Sequence, residues 1–151
     1  MPDSTTGTAV SNCPLCRDAG GLLLVKTPKW RVIRSSDDGN FPAFYRLIWN
    51  AHVAEFSDLD AAERSECMEA VTAIERVLRE ALQATKINLA TFGNVVPHLH
   101  WHVIARFDWD SHFPNPVWGA ARREVEGGAE ARLALPLVEL DRRVAAALLR
   151  P

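Results

Sequence analysis

Two periodicities alternate along this chain. Near its middle, His98-Leu99-His100-Trp101-His102-Val103 swaps a polar residue for a bulky apolar one at every step, and the run continues through Ile104, Ala105 and Arg106 to Phe107. Period two marks a strand with one face in a core. The three imidazoles therefore share one side, with Leu99, Trp101 and Val103 on the other. At a rise of about 3.3 Å per residue, successive histidines stand roughly 6–7 Å apart, close enough for all three to line one ligand. Shorter strand-like runs precede it at 22–26 and 30–34, around a turn at Pro28, and at 44–50, which ends just before His52. A fourth run at 86–91 leads through Phe92-Gly93-Asn94 into the histidine strand.

Between 57 and about 84 the period changes. Met68, Val71, Ile74, Val77, Leu78 and Leu82 recur at three-and-four spacing, the stripe of a long amphipathic helix. Ser57 is its expected N-cap, with acidic residues in the first turn. Glu63, Glu66, Arg76 and Arg79 fall on its wet side, and Cys67 reads as a small buried hydrophobe. The segment Phe113-Pro114-Asn115-Pro116-Val117-Trp118 cannot be a central strand. It packs over the active site, a dimer interface or plain surface. After the break at Gly127-Gly128, Leu140, Val144, Ala147 and Leu148 predict a final helix over 137–149. The expected fold is α+β: an antiparallel sheet of about five strands, one long helix and a C-terminal helix. Its expected divisions are a polar tail at 1–12, one domain at 13–118, and an extension carrying a helix at 119–151.

A chain of 151 residues is the size of one domain and can bury a real core. A net charge of −2 gives no basic excess for nucleic acid. No apolar run approaches the ~20 residues of a membrane span, and the polar start lacks a signal-peptide core. The cytoplasm is the default, and three cysteines, an odd number, argue against a secreted disulfide framework.

The chemistry lies in the histidines and in Cys13-Pro14-Leu15-Cys16. A neutral imidazole is a nucleophile near pH 7 and a protonated one an acid. Histidines on a strand also bind catalytic metals, as in cupin-like enzymes, but such sites use a nearby carboxylate. Here the next acid after His102 is Asp108, past the strand. The C-x-x-C pair is a redox pair, a metal-free pair or half of a structural zinc site, which needs two further ligands. Only a polar tail precedes it, unlike the strand before a thioredoxin-type pair.

His98-Leu99-His100-Trp101-His102-Val103-Ile104 resembles the His-φ-His-φ-His-φ-φ signature of the histidine triad (HIT) family of nucleotide hydrolases and transferases. Asn88, the approach Gly93-Asn94-Val95-Val96-Pro97, and Leu47-Ile48-Trp49-Asn50-Ala51-His52 resemble it too, so the likeness spans roughly 13–118. Asn94 and Val95 stand where the family often has Gln and Ser or Thr, and Ala105 where Pro is common. The resemblance implies His100 as nucleophile and His102 as the partner that contacts the α-phosphate. It implies that Gly93, Asn94 and Asn88 hold the phosphate, and that Asp37, or its neighbour Asp38, meets the ribose. Some members join a cysteine pair to two histidines around structural zinc; the matching ligands here are Cys13, Cys16, His52 and His98. It further implies a homodimer acting on purine nucleotide conjugates: dinucleoside polyphosphates such as diadenosine tetraphosphate, adenosine phosphoramidates or acyl-adenylates. A nucleotide-binding module of the same fold without turnover is the alternative. No metal is needed for the chemical step.

Overall fold

The computed structural model describes residues 9–150. Most of the polar tail expected at 1–12 lies outside the described residues. Five strands form one sheet: β1 (Leu22–Lys26), β2 (Trp30–Arg34), β3 (Phe44–Trp49), β4 (Lys86–Ala90) and β5 (His100–Arg106). Every neighbouring pair is antiparallel, in the order β1-β2-β3-β5-β4, so the histidine strand is flanked on both sides. The helices are α1 (Pro14–Arg17), α2 (Ala61–Leu82) and α3 (Leu137–Leu148). Among the described residues, no helix is long and apolar enough to cross a membrane.

The pleat sorts the sheet into two faces. Val32, Tyr45, Leu47, Trp49, Val103 and Ala105 point to the helices and share one core with Val71, Ile74, Leu78 and Leu82 of α2. Fully burying side chains of this size is worth about 1.5–3 kcal/mol each. Cys67 sits in that core, as expected of a small hydrophobe, and burial with Glu66 nearby pushes its thiol up to about 12. Leu140 and Val144 of α3 complete the same core, and Asp141 accepts hydrogen bonds from Tyr45 Oη at 2.8 Å and Arg34 Nε at 2.9 Å. The helix of the 119–151 region is thus packed on the sheet's helical layer.

The long helix starts one turn later than expected. Residues 56–58 form a separate 3-10 turn, and Asp60, not Ser57, caps α2. The Asp60 carboxylate accepts from Glu63 N at 2.8 Å while Glu63 Oε1 accepts from Asp60 N at 3.1 Å. This reciprocal capping box satisfies two backbone donors that no earlier turn could. It also corrects Glu63, expected on the wet side: its carboxyl, pulled back to the cap, is only 2% exposed.

Candidate functional site

The N-terminal end of β5 makes two different sites within five residues. His98 lies just before the strand, in a segment pinned by Trp49 N donating to Leu99 O (3.1 Å) and Leu99 N donating to Val53 O (2.8 Å). Its ring is wholly buried, with Nε2 2.5 Å from the Trp49 carbonyl oxygen. A carbonyl only accepts, so Nε2 carries the proton and Nδ1 presents its lone pair. That lone pair faces Cys13 Sγ at 3.5 Å, Cys16 Sγ at 3.5 Å and His52 Nδ1 at 3.2 Å; His52 Nδ1 is 3.3 Å from Cys16 Sγ.

All four donor atoms lie within 4.8 Å of one another. A tetrahedral zinc with bonds of about 2.0–2.3 Å sets its donors roughly 3.3–3.8 Å apart, and two thiols with two imidazoles are a common structural zinc set. The Trp49 carbonyl supplies the outer hydrogen bond that orients a ligating histidine. These residues therefore fit a metal of that kind. Buried Arg31 braces them, donating to the carbonyls of Leu15, Asp18 and Ala19 and to Asn50 Oδ1, which ties the cysteine turn to β2 and the end of β3.

His100 and His102 open the other way, into a cleft of about 400 Å³ on the sheet face away from the helices. Its remaining walls are Phe92, the loop Gly93-Asn94-Val95-Val96, and Trp118. Gly93 adopts φ +72, a left-handed turn that a side chain would strain. His98 is not part of this wall, so the expected sharing of one ligand by three imidazoles reduces to two. Their rings meet edge to face with centroids 5.0 Å apart, tighter than the roughly 6–7 Å of an ideal strand. His100 Nδ1 is 2.6 Å from the His98 carbonyl oxygen, so Nδ1 holds the proton and Nε2 is the free nucleophilic nitrogen. His102 Nδ1 accepts a hydrogen bond from Arg46 Nε at 3.3 Å.

Both imidazoles are held neutral. Burial lowers the pKa of His100, partly countered by its bond to the His98 carbonyl, and Arg46 lowers it further. Burial, with His100 and Arg46 beside it, pulls His102 down to about 3.

The other expected residues sit further out. Asn88 pairs with Ile104 across β4 and β5, on the histidine face, where its Oδ1 accepts from Arg106 Nη1 at 2.9 Å. It does not line the cleft. Asp37 is 80% exposed, with Oδ2 3.6 Å from Arg46 Nη1. It too lies outside the cleft wall, one side chain removed from His102.

Arg46 and Arg106 escaped sequence reasoning, and Trp118 belongs to the loop for which the active site was one of three expected settings. Arg46 sits opposite His102 in the β3–β5 ladder. Arg106 is buried, forks onto both Asp110 carboxylate oxygens (2.8 and 3.1 Å) and donates to Asn115 O at 2.7 Å, fastening the 107–118 loop against the sheet. Trp118 closes the cleft, its ring 5.1 Å from His102 and 4.8 Å from Phe92. Arg46 interrupts the otherwise apolar β3 and Arg106 ends β5, and a charge within or at the end of a buried strand was the available signal.

The HIT domain family profile matches residues 22–109, more than half of the chain. The chain belongs to the histidine triad family. Solved HIT structures share its fold. A histidine triad protein from Bradyrhizobium japonicum is 29% identical with a TM-score of 0.64, over 86% of this chain and 89% of that one. One from Marinobacter aquaeolei is 23% identical with a TM-score of 0.66, over 86% and 90%. A zinc-bound HIT family protein from Mycobacterium smegmatis is 20% identical with a TM-score of 0.58, over 91% and 93%. No curated protein matches the sequence. HIT proteins are generally nucleotide-binding hydrolases or transferases, and the sheet, long helix and histidine strand of this member are those of the family.

Proposed function

We propose that this HIT protein hydrolyses, or transfers from, a nucleotide joined to a leaving group through its α-phosphate, by way of a covalent nucleotidyl-His100. The carrying observation is the bond from His100 Nδ1 to the His98 carbonyl, which leaves Nε2 with its lone pair toward the cleft. In the first step Nε2 bonds to phosphorus while the bond from phosphorus to the leaving group breaks. The positive charge gained by the ring is stabilised where Nδ1–H meets the carbonyl. In the second step water bonds to phosphorus, the N–P bond breaks, a proton passes to solvent, and a nucleoside monophosphate departs. Gly93 and Asn94 of the cleft loop hold the phosphate, and His102 donates to its oxygens as negative charge develops.

Asn88 and Asp37 are proposed as outer contacts to the nucleotide, Asn88 through its free amide nitrogen and Asp37 at the ribose. Zinc at Cys13, Cys16, His52 and His98 is structural: bound there, it ties the N-terminal turn to the start of β5. The protein is proposed as a homodimer, supported by β4, an edge strand that leaves Leu89 43% exposed.

The reading is tested by offering purified protein diadenosine tetraphosphate, adenosine phosphoramidate and an acyl-adenylate. Rapid acid-free quenching should reveal by mass spectrometry a nucleotidyl adduct on His100. Binding of adenosine monophosphate without turnover of any of the three would instead favour a non-catalytic module. Calorimetry should show adenosine monophosphate binding more tightly than uridine monophosphate.

A further inference from the structure

Resting on the function just proposed, we infer that Arg46 is a positioning residue. It locks His102 as a neutral Nε2–H donor, so the site favours substrates whose leaving group departs as an anion over those whose leaving group is an amine. The argument begins with what each atom can do. A guanidinium nitrogen can only donate. Arg46 Nε donates to His102 Nδ1 at 3.3 Å, so that nitrogen must hold a lone pair. The only proton on the ring then sits on Nε2. His100 is fixed in the opposite tautomer by a different partner: the His98 carbonyl holds its proton on Nδ1 and leaves its Nε2 bare. The two rings that share the cleft thus present one acceptor and one donor, set by two opposite kinds of neighbour.

The lock also prevents His102 from becoming an imidazolium. Adding a proton at Nδ1 would point N–H at N–H and put two cations in contact, so Arg46 would have to leave. Its surroundings oppose that. Arg46 is paired with His102 in the β3–β5 ladder, its guanidinium lies 5.0 Å over the Phe44 ring, and Asp37 engages it at 3.6 Å from the far side. Phe44 in turn meets His102 edge-on at 5.5 Å.

A neutral His102 can hydrogen-bond to an oxygen but cannot give up its proton, since that would leave an imidazolate. A polyphosphate or carboxylate needs no proton when the bond to phosphorus breaks. It leaves with the electron pair as a stable anion. An amine leaving with that pair must take up a proton, and this chain provides no acid at His102 to supply it. The favoured substrates are therefore phosphoanhydrides and acyl-nucleotide anhydrides.

The test exploits side-chain lengths. The amide nitrogen of glutamine lies the same number of bonds from Cα as arginine Nε, so Arg46→Gln keeps the donor and drops the charge. Arg46→Glu puts an acceptor there, and Arg46→Met leaves neither. Long-range proton–nitrogen NMR of the protein as purified should show His102 protonated at Nε2 in wild type and Arg46→Gln, and at Nδ1 in Arg46→Glu. The ratio of kcat/KM for diadenosine tetraphosphate over adenosine phosphoramidate should fall at least tenfold in Arg46→Met and stay near wild type in Arg46→Gln. An Nε2 proton retained in folded Arg46→Glu, or an equal ratio in the Met and Gln variants, overturns the inference. The NMR arm needs no substrate, so a protein that turns over neither compound defeats the proposed function without deciding the role of Arg46.

Discussion

The two ends of five residues of chain, His98 and His102, are built on opposite plans. Around His98 every donor and acceptor is spoken for: Nε2 by Trp49 O, the carbonyl by His100 Nδ1, and Nδ1 by a ring of thiols and a second imidazole. The ring is 0% exposed, and Arg31 braces the turn beneath it. Around His100 and His102, only the inner nitrogens are engaged. The outer ones face a cleft rimmed by Phe92 and Trp118, each more than half exposed. A metal site gains by closing on itself, whereas a site for chemistry must keep one valence of each group unspent. The two are joined by one atom, the His98 carbonyl oxygen, through which the buried end sets the tautomer of the open end.

The sharpest way to break the comparison is to remove the open end alone. His100→Asn should cut turnover at least about a thousandfold, as loss of a covalent nucleophile does, while metal content, melting temperature and adenosine monophosphate binding stay near wild type. Turnover within a few-fold of wild type would refute the covalent route. Removing the closed end should do the reverse. As purified, the protein should carry about one zinc per chain. Cys13→Ser should lose it and with it about 3–5 kcal/mol of stability, a fall of roughly 10 °C for a domain of this size. Activity should follow downward, because the carbonyl that orients His100 belongs to His98. Elemental analysis and calorimetry check both, and a metal-free wild type of unchanged melting temperature would defeat the structural role.

The same contrast explains what could be read without coordinates. The cysteine pair was legible as one possible half of a zinc site, and His52 and His98 were matched to it only through the family resemblance; the fold brings the four donor atoms together. The sheet was legible because period two survives in β5, and α2 because its apolar stripe from Met68 to Leu82 is unbroken over about four turns. What stayed hidden depends on tertiary contacts. Glu63 looks solvated by helical phase, and only the cap at Asp60 turns its carboxyl inward. The partner that gives Arg46 its role is not local; His102 reaches it across the ladder from 56 residues away. For the loop of Trp118 the sequence left three settings open, and the buried Arg106–Asp110 pair, with Arg106 donating to Asn115 O, fastens it beside the cleft.

Acid should separate the two rings of the cleft from the rest of the molecule. His102 has its folded pKa pulled from 6.5 to about 3, so the unfolded chain binds its proton first as the pH falls. The contribution to stability is complete above about pH 6.5 and declines from there toward pH 3, by at most about 1.4 kcal/mol per pH unit. Burial lowers the pKa of His98 and His100 in the same direction, so the informative quantity is a difference. In denaturant titrations from pH 7 to 4.5, His102→Asn should lose stability less steeply than wild type. Parallel slopes would mean that His102 is not kept neutral.

The smallest effect should come from the exposed rim. Trp118 touches no backbone ladder and belongs to neither the metal cluster nor the nucleophile. Its ring stands 5.1 Å from His102 and 4.8 Å from Phe92, with 53% of the residue still open to water. An aromatic surface left exposed beside a reactive pair costs little to keep and gains when a planar group covers it. Such contacts are worth about 0.5–1.5 kcal/mol beyond their buried area. Trp118→Ala should therefore raise KM for a dinucleoside polyphosphate by roughly three- to tenfold and leave kcat within about twofold, the pattern of an interaction made equally in the bound and transition states. Removing the indole also opens one side of the cleft, so Trp118→Phe is the control: it restores a smaller aromatic face and should recover most of the KM. A kcat loss larger than the KM change would instead give Trp118 a part in aligning His102, and would move the boundary between the closed and open ends outward to the loop.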